Sequence, residues 1–147
     1  MRGLKVENER ELNDCKAIRK AVFVDEQGVP ERLEWDEYDE NPQACHHWLA
    51  LDDDGRPAGT ARWREYEPGT AKLQRIAVLP AYRGKSVGRL LVSSMEEEAR
   101  ALGCAKAVLD AQCSAEMFYR KLGYATISGE PFYDADILHV RMEKSLV

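Results

Sequence analysis

Residues 83–89, Arg-Gly-Lys-Ser-Val-Gly-Arg, put three cations and two glycines into one short loop. The loop follows an apolar run, Ile76-Ala77-Val78-Leu79, that stops at Pro80. It opens directly into a segment with Val87, Leu90, Leu91, Met95, Ala99 and Leu102 at helical spacing. A strand, a basic loop and a helix N-terminus in that order make an anion site, because unpaired N–H groups and the positive end of the helix dipole converge on one place. The pattern therefore predicts a phosphate-bearing ligand, although a Gly/Arg/Lys turn taken alone reads equally as a solvated basic loop that binds nothing. A nucleotide P-loop does not fit: Gly84-Lys85-Ser86 has its ending, but Leu79 stands where the first Gly must be. A dinucleotide fingerprint, G-x-G-x-x-G, is absent too.

Two further groups of residues could do chemistry. Residues 117–124, Met-Phe-Tyr-Arg-Lys-Leu-Gly-Tyr, read as a short amphipathic helix capped at Gly123 and bring two phenols, Tyr119 and Tyr124. Acids crowd residues 25–40: Asp25, Glu26, Glu31, Glu34, Asp36, Glu37, Asp39 and Glu40. Such a segment either forms a rim that attracts a cationic substrate or simply solubilises a loop. His46, His47 and His139, and likewise Cys15, Cys45, Cys104 and Cys113, show no metal-ligand spacing, so no metal is expected.

The basic loop resembles the acyl-CoA loop of the GCN5-related N-acetyltransferases (GNAT), whose pattern is [RQ]-x-x-G-x-[GA] after a strand like I-A-V-x-P. Arg83 and Gly88 match it, while Ser86 replaces the first Gly, the position where backbone approaches the pyrophosphate. Residues 117–124 resemble the family's F-Y-x-K-x-G-[FY] element. The segment Arg19-Lys20-Ala21-Val22-Phe23-Val24-Asp25-Glu26-Gln27-Gly28-Val29-Pro30 and the end Pro131-Phe132-Tyr133-Asp134 with His139-Val140-Arg141-Met142 resemble a subgroup of small bacterial members. The resemblance covers nearly the whole chain, residues 1–147, as one domain.

What the resemblance implies is an acyl transfer from acetyl-CoA, as co-substrate, to the amine of a small molecule or a protein. It assigns the pyrophosphate to the backbone of Gly84, Lys85, Ser86, Val87 and Gly88, with charge from Arg83, Lys85 and Arg89. The backbone of Ile76, Ala77 and Val78 would pair with the pantetheine arm like an added strand, and an N–H near Val78 would polarise the thioester carbonyl. Tyr119 stands at the general-acid position, with Tyr124 expected to be structural. Many relatives carry a Glu base on the central strand, where this chain has Gln74. Glu26 is the first candidate for the base because it ends the first helix where family members form the substrate mouth; Asp36, Asp39 and His47 are the others. A second reading stays open, an acyl-CoA-binding module with little catalysis, motivated by Ser86 and the missing strand Glu.

Composition bounds these readings. A chain of 147 residues can bury a core of its own, and a net charge of −5 argues against broad nucleic-acid binding. No apolar run approaches a membrane span, and no secretory leader is expected. Cysteines without a disulfide pattern fit a cytoplasmic location with free, mostly buried thiols.

The elements that must position these residues follow from patterning. Leu4-Lys5-Val6 reads as a strand, and Asn8 with Glu11 as a capping-box start of a helix whose face is Leu12, Cys15, Ile18, Val22 and Phe23. Residues 31–44 read as a polar connection. Residues 47–51, 57–66 and 70–79 read as an antiparallel meander with an Asp-Gly turn at 52–55. A helix over about 84–102 leads to a strand at 107–109, which should run parallel to the strand at 70–79. Glu96, Glu97 and Glu98 on that helix read as a solvated face. Strands at about 124–129 and 137–144 complete a mixed α/β sheet of about six or seven strands flanked by helices. The resemblance implies the acyl-CoA N-acyltransferase fold, splayed open between its two parallel central strands. The Phe132-Tyr133 segment could serve a dimer contact as readily as a pocket wall.

Overall fold

The computed structural model describes residues 1–147. The chain runs β1 (Arg2–Lys5), α1 (Glu9–Arg19) with a π-helical continuation (Lys20–Glu26), α2 (Glu31–Glu34), β2 (His46–Leu51), β3 (Pro57–Glu67), β4 (Thr70–Val78), α3 (Val87–Ala101), β5 (Lys106–Gln112), α4 (Glu116–Lys121), β6 (Ala125–Thr126), β7 (Phe132–Asp134) and β8 (Ile137–Ser145). One eight-stranded sheet takes the order β1-β2-β3-β4-β5-β8-β6, with β7 also paired to β8. All neighbours are antiparallel except β4 and β5. The mixed α/β class is as expected. The eighth strand is the short β7, and the expected strand at 124–129 shrinks to Ala125–Thr126.

Local chemistry explains the helices. Asn8 Oδ1 accepts from the Glu11 N–H at 2.9 Å, while Glu11 reaches back one residue further than a capping box does, to the Glu7 N–H at 2.8 Å. Leu12, Cys15, Ile18 and Val22 are buried against Leu49, Leu51 and Ala77 on one sheet face. On the other face α3 buries Val87, Leu91, Val92, Met95 and Ala99 against Trp63, Leu73, Leu109 and Met142. The sheet is thus covered by α1 over β2–β4 and by α3 and α4 on the opposite side.

Two charged groups on α3 depart from the solvated face that its sequence suggests. Glu98 accepts from the Trp48 and Trp63 indole N–H groups at 2.9 and 2.8 Å and from Lys5 Nζ at 2.9 Å. Glu96 accepts from the Tyr124 hydroxyl at 2.7 Å and from Lys144 Nζ at 3.0 Å. Buried indole and phenol donors require acceptors, and these glutamates supply them; Glu97 alone of the three is exposed.

The polar connection is not a free loop either. Arg19 and Arg62, each 1% exposed, pin it with buried ion pairs. Arg19 donates to Glu34 Oε2 at 2.8 Å and to both Asp39 oxygens at 2.5 and 3.0 Å. Arg62 donates to Asp36 at 2.8 and 2.7 Å and to Asp39 at 2.8 Å.

Candidate active site

The site begins where β4 and β5 part. Their parallel pairing runs from Thr70↔Lys106 to Leu73↔Leu109 and then stops, although β4 continues to Val78 and β5 to Gln112. A bulge drives the separation. Arg62 pairs with Gln74 but Thr60 with Ala77, so Arg75 and Ile76 together face Ala61. Arg75 takes the left-handed φ of 55° that the bulge needs. The gap opens into a cleft of about 330 Å³.

That cleft passes through the sheet. Val22, Phe23 and Gln27 line it from the α1 side; Ala115 and Tyr119 line it from the α4 side. The π-helical turn places the first group: Gln27 N donates to Val22 O and Val29 N to Phe23 O, widening the helix end over the gap. Gln112 Nε2 donates to Gln27 Oε1 at 2.8 Å, bridging β5 to that turn. An adjoining lobe of about 210 Å³ continues on the α1 side between Val29, Leu33 and Glu34 and the β7–β8 hairpin.

The basic loop lies at one end of the cleft. Arg83 N donates to Pro80 O and Leu90 N to Ser86 O, and the amides of residues 84–89 between them donate to no backbone carbonyl. A run of free N–H groups at the start of a fifteen-residue helix is what an anion requires. Gly84 has φ 78° and Ser86 φ 63°, so Ser86 adopts a left-handed conformation that a glycine takes without strain. A Cβ on Gly88 would stand 3.1 Å from Phe118 Cζ, so the loop packs directly on α4.

Each expected site residue has a definite place. Ile76, Ala77, Val78 and Arg83 line the cleft. Gly84, Lys85, Ser86, Val87, Gly88 and Arg89 form the amide run. Tyr119 is 8% exposed, edge-on to Phe118 and Tyr124 with centroids 4.9 and 6.1 Å away. Burial pushes its phenol well above the ordinary range, with no hydrogen bond contributing. Tyr124, by contrast, spends its hydroxyl on Glu96.

The candidate bases are dispersed. Glu26 accepts two hydrogen bonds from Arg83, at 2.7 and 2.6 Å, which hold its carboxyl below the usual range, and it lies outside the cleft lining. Asp36 and Asp39 are bound to Arg62 and Arg19. Burial alone would raise the Asp39 carboxyl, but the arginines outweigh it and hold it at about 2. His47 is 1% exposed, its Nε2 2.8 Å from Tyr38 O, and burial lowers its basicity.

Three cleft residues are not among the expected site residues. His139 faces Gln112 across the β5–β8 register and lines both lobes. Arg75 lines both as well; its Nε lies 3.3 Å from Glu34 Oε2, near enough for an ion pair but misaligned for a hydrogen bond. Burial raises the Glu34 carboxyl, and its arginines only partly offset this. Gln74 stands out in the sequence only for not being Glu; its Oε1 is buried in the cleft wall with no donor. Of the two late aromatics, Phe132 stacks on His139 at 6.1 Å, while Tyr133 is 72% exposed.

Comparison with known proteins agrees with this architecture. A family model described as an acetyltransferase (GNAT) domain matches residues 11–146. An uncharacterized N-acetyltransferase of Bacillus subtilis strain 168 is 37% identical over 144 residues, covering 98% of this chain and 99% of its own. A crystal structure from Lactobacillus plantarum superposes with a TM-score of 0.90 at 26% identity, covering 99% of this chain and 98% of that one. The crystal structure of an aminoglycoside 6'-N-acetyltransferase complexed with coenzyme A shares the fold, with a TM-score of 0.75, 15% identity, and 100% and 98% coverage. No helix is long and apolar enough to cross a membrane.

Proposed function

The chain belongs to the GNAT acetyltransferase family and is an acyltransferase, and on that basis we propose that it moves an acetyl group from acetyl-CoA to a primary amine by direct attack. The acceptor is a small molecule or an exposed protein amine. The observation that carries this reading is the run of unbonded amides at residues 84–89 beside a cleft that pierces the sheet.

In the reaction, the amides of Gly84, Lys85, Ser86, Val87 and Gly88 hold the pyrophosphate at the α3 N-terminus, and Arg83, Lys85 and Arg89 supply charge. Ile76, Ala77 and Val78 lie on the stretch of β4 that β5 leaves unpaired, and their backbone takes the pantetheine arm as an added strand. The acceptor enters from the α1 side. Its nitrogen attacks the thioester carbon, an N–H near Val78 stabilises the oxyanion, and the C–S bond breaks. Tyr119, on the α4 side, gives the thiolate its proton, and the acylated nitrogen loses one in return. Burial keeps this phenol protonated, so a proton is in place to be passed on as the C–S bond breaks. Three buried free cysteines accord with a cytoplasmic setting for the reaction.

The experiment is calorimetric titration with acetyl-CoA, with ATP as control, followed by CoA release over a panel of amines. One-site binding to acetyl-CoA and amine-dependent release are expected. Binding without release from any amine would favour an acyl-CoA-binding module, and no binding would refute the assignment of the loop.

A further inference from the structure

An alkylammonium acceptor must lose a proton before its nitrogen can attack, so acetyl transfer needs a base on the side of the sheet from which the acceptor comes. None of Glu26, Asp36, Asp39 and His47 lies in the cleft unpaired. Of the ionisable side chains that do line it, Lys72, Arg75 and Arg83 are paired with Asp110, Glu34 and Glu26, and Asp110 accepts from Arg141 Nε and Nη2 at 2.8 and 3.1 Å. Tyr119 is on the far side. Asp134 stands exposed at the hairpin tip, and His139 remains.

We propose that His139 is the general base, its Nε2 presented unprotonated to the acceptor nitrogen by the hydrogen bond that Nδ1 makes to the Ile137 carbonyl. The Nδ1–O distance is 2.7 Å. A carbonyl only accepts, so Nδ1 must carry the proton in the neutral ring, which leaves the lone pair on Nε2. Nε2 has no partner in the protein and is not a sealed, unsatisfied atom. Phe132 stacks on the ring at an interplanar angle of 22°, fixing its plane, and Gln112 opposes it across the strand pair. The charged groups facing His139 are Asp110 on β5, Asp134 on β7, Arg75 on β4 and Glu34 on α2. The through-sheet cleft thereby separates the two proton transfers: His139 takes one proton from the ammonium on the α1 side, and Tyr119 gives one to the thiolate on the α4 side. The second proton of the attacking nitrogen restores the Tyr119 phenol, and the imidazolium returns its proton to water, so one proton is released per acetyl moved.

This assignment rests on the acetyl-transfer reading, and the test separates the two. His139→Asn keeps a donor where Nδ1 stands and removes the base. Wild type and variant are compared with benzylamine, which is an ammonium at neutral pH, and with hydroxylamine, which is largely unprotonated there. The variant should bind acetyl-CoA within about twofold of wild type, lose about 10²-fold or more in kcat/KM for benzylamine, and show an altered pH profile for that substrate. Hydroxylamine turnover should change by only a few-fold. Equal losses with both amines, or an unchanged benzylamine pH profile, would overturn the role. Nitrogen-15 NMR of the imidazoles tests the tautomer independently: a neutral His139 protonated at Nε2 would also overturn it. If wild type binds acetyl-CoA but acetylates neither amine nor any other on the panel, acetyl transfer fails and the base assignment falls with it.

Discussion

Replacing Asp39 by Asn probes the buried ion pairs that hold the wall of the cleft. Asp39 is 3% exposed and accepts from Arg19 and Arg62, each 1% exposed. The amide is nearly isosteric but removes the one negative charge that both guanidinium groups share, and it turns an NH₂ toward them. Removing one partner of a buried pair costs about 3–5 kcal/mol. The titration of Asp39 gives an independent figure. A fall of its carboxyl from an ordinary 3.8 to about 2 corresponds to about 2–3 kcal/mol, at about 1.4 kcal/mol per tenfold. The second figure is smaller because a protonated acid keeps part of its hydrogen bonding. Asp39→Asn should therefore lower stability by about 3 kcal/mol at pH 7, and with a urea slope of about 1–3 kcal/mol/M the midpoint should drop by about 1–3 M. The folded-state value lies below the unfolded one, so this stability is fully present above the unfolded value and is lost as pH falls through about 2. Glu34, raised by burial, acts in the opposite sense and favours the folded state when protonated. Urea unfolding followed by tryptophan fluorescence suits the test, because Trp35 lies 5.0 Å from the Arg19 guanidinium. A variant within about 1 kcal/mol of wild type at pH 7, or one with an undiminished acid limb, would mean that the shared charge of Asp39 does not hold this wall.

Gly59→Ala should destabilise by about 1–3 kcal/mol in thermal melts, because its Cβ would lie 2.9 Å from Val87 Cγ1 and 3.0 Å from Ala77 O. Ser86→Gly relieves a left-handed residue worth about 1–2 kcal/mol against an added chain entropy of about 0.4–1 kcal/mol. Its stability should hold or rise by up to about 1.6 kcal/mol, with acetyl-CoA binding at least as tight by calorimetry. Tyr119→Phe should cut CoA release by about 10²–10⁴-fold where chemistry limits the rate, with acetyl-CoA affinity within about twofold. Full turnover in that variant would remove Tyr119 from the mechanism.

Much of this protein is local, and what is local is legible in the chain. The amide run at 84–89 follows from Pro80, Gly84 and the apolar spacing of α3, all within one strand–loop–helix unit. The element at 117–124 needs only its own aromatics and Gly123. The parallel neighbourhood of β4 and β5 follows from the connection through a helix. The acids mislead because charge alone reads as solvent exposure: Glu34, Asp39, Glu96 and Glu98 have partners 15, 20, 28 and 50 residues away in sequence, at Arg19, Tyr124 and Trp48.

Periodicity, turn residues and short motifs are enough to set the class of sheet, the loop of free amides at 84–89 and the short helix that carries Tyr119, because each is written within a single stretch of the chain. Which side chains share the cleft was decided by the closed sheet. The bulge at Arg75 splits β4 from β5, the β7–β8 hairpin carries His139 opposite Gln112, and Arg83 draws Glu26 outside the cleft lining. Those outcomes depend on strand register and long-range pairing, which fix a side chain's neighbours only once the sheet has closed.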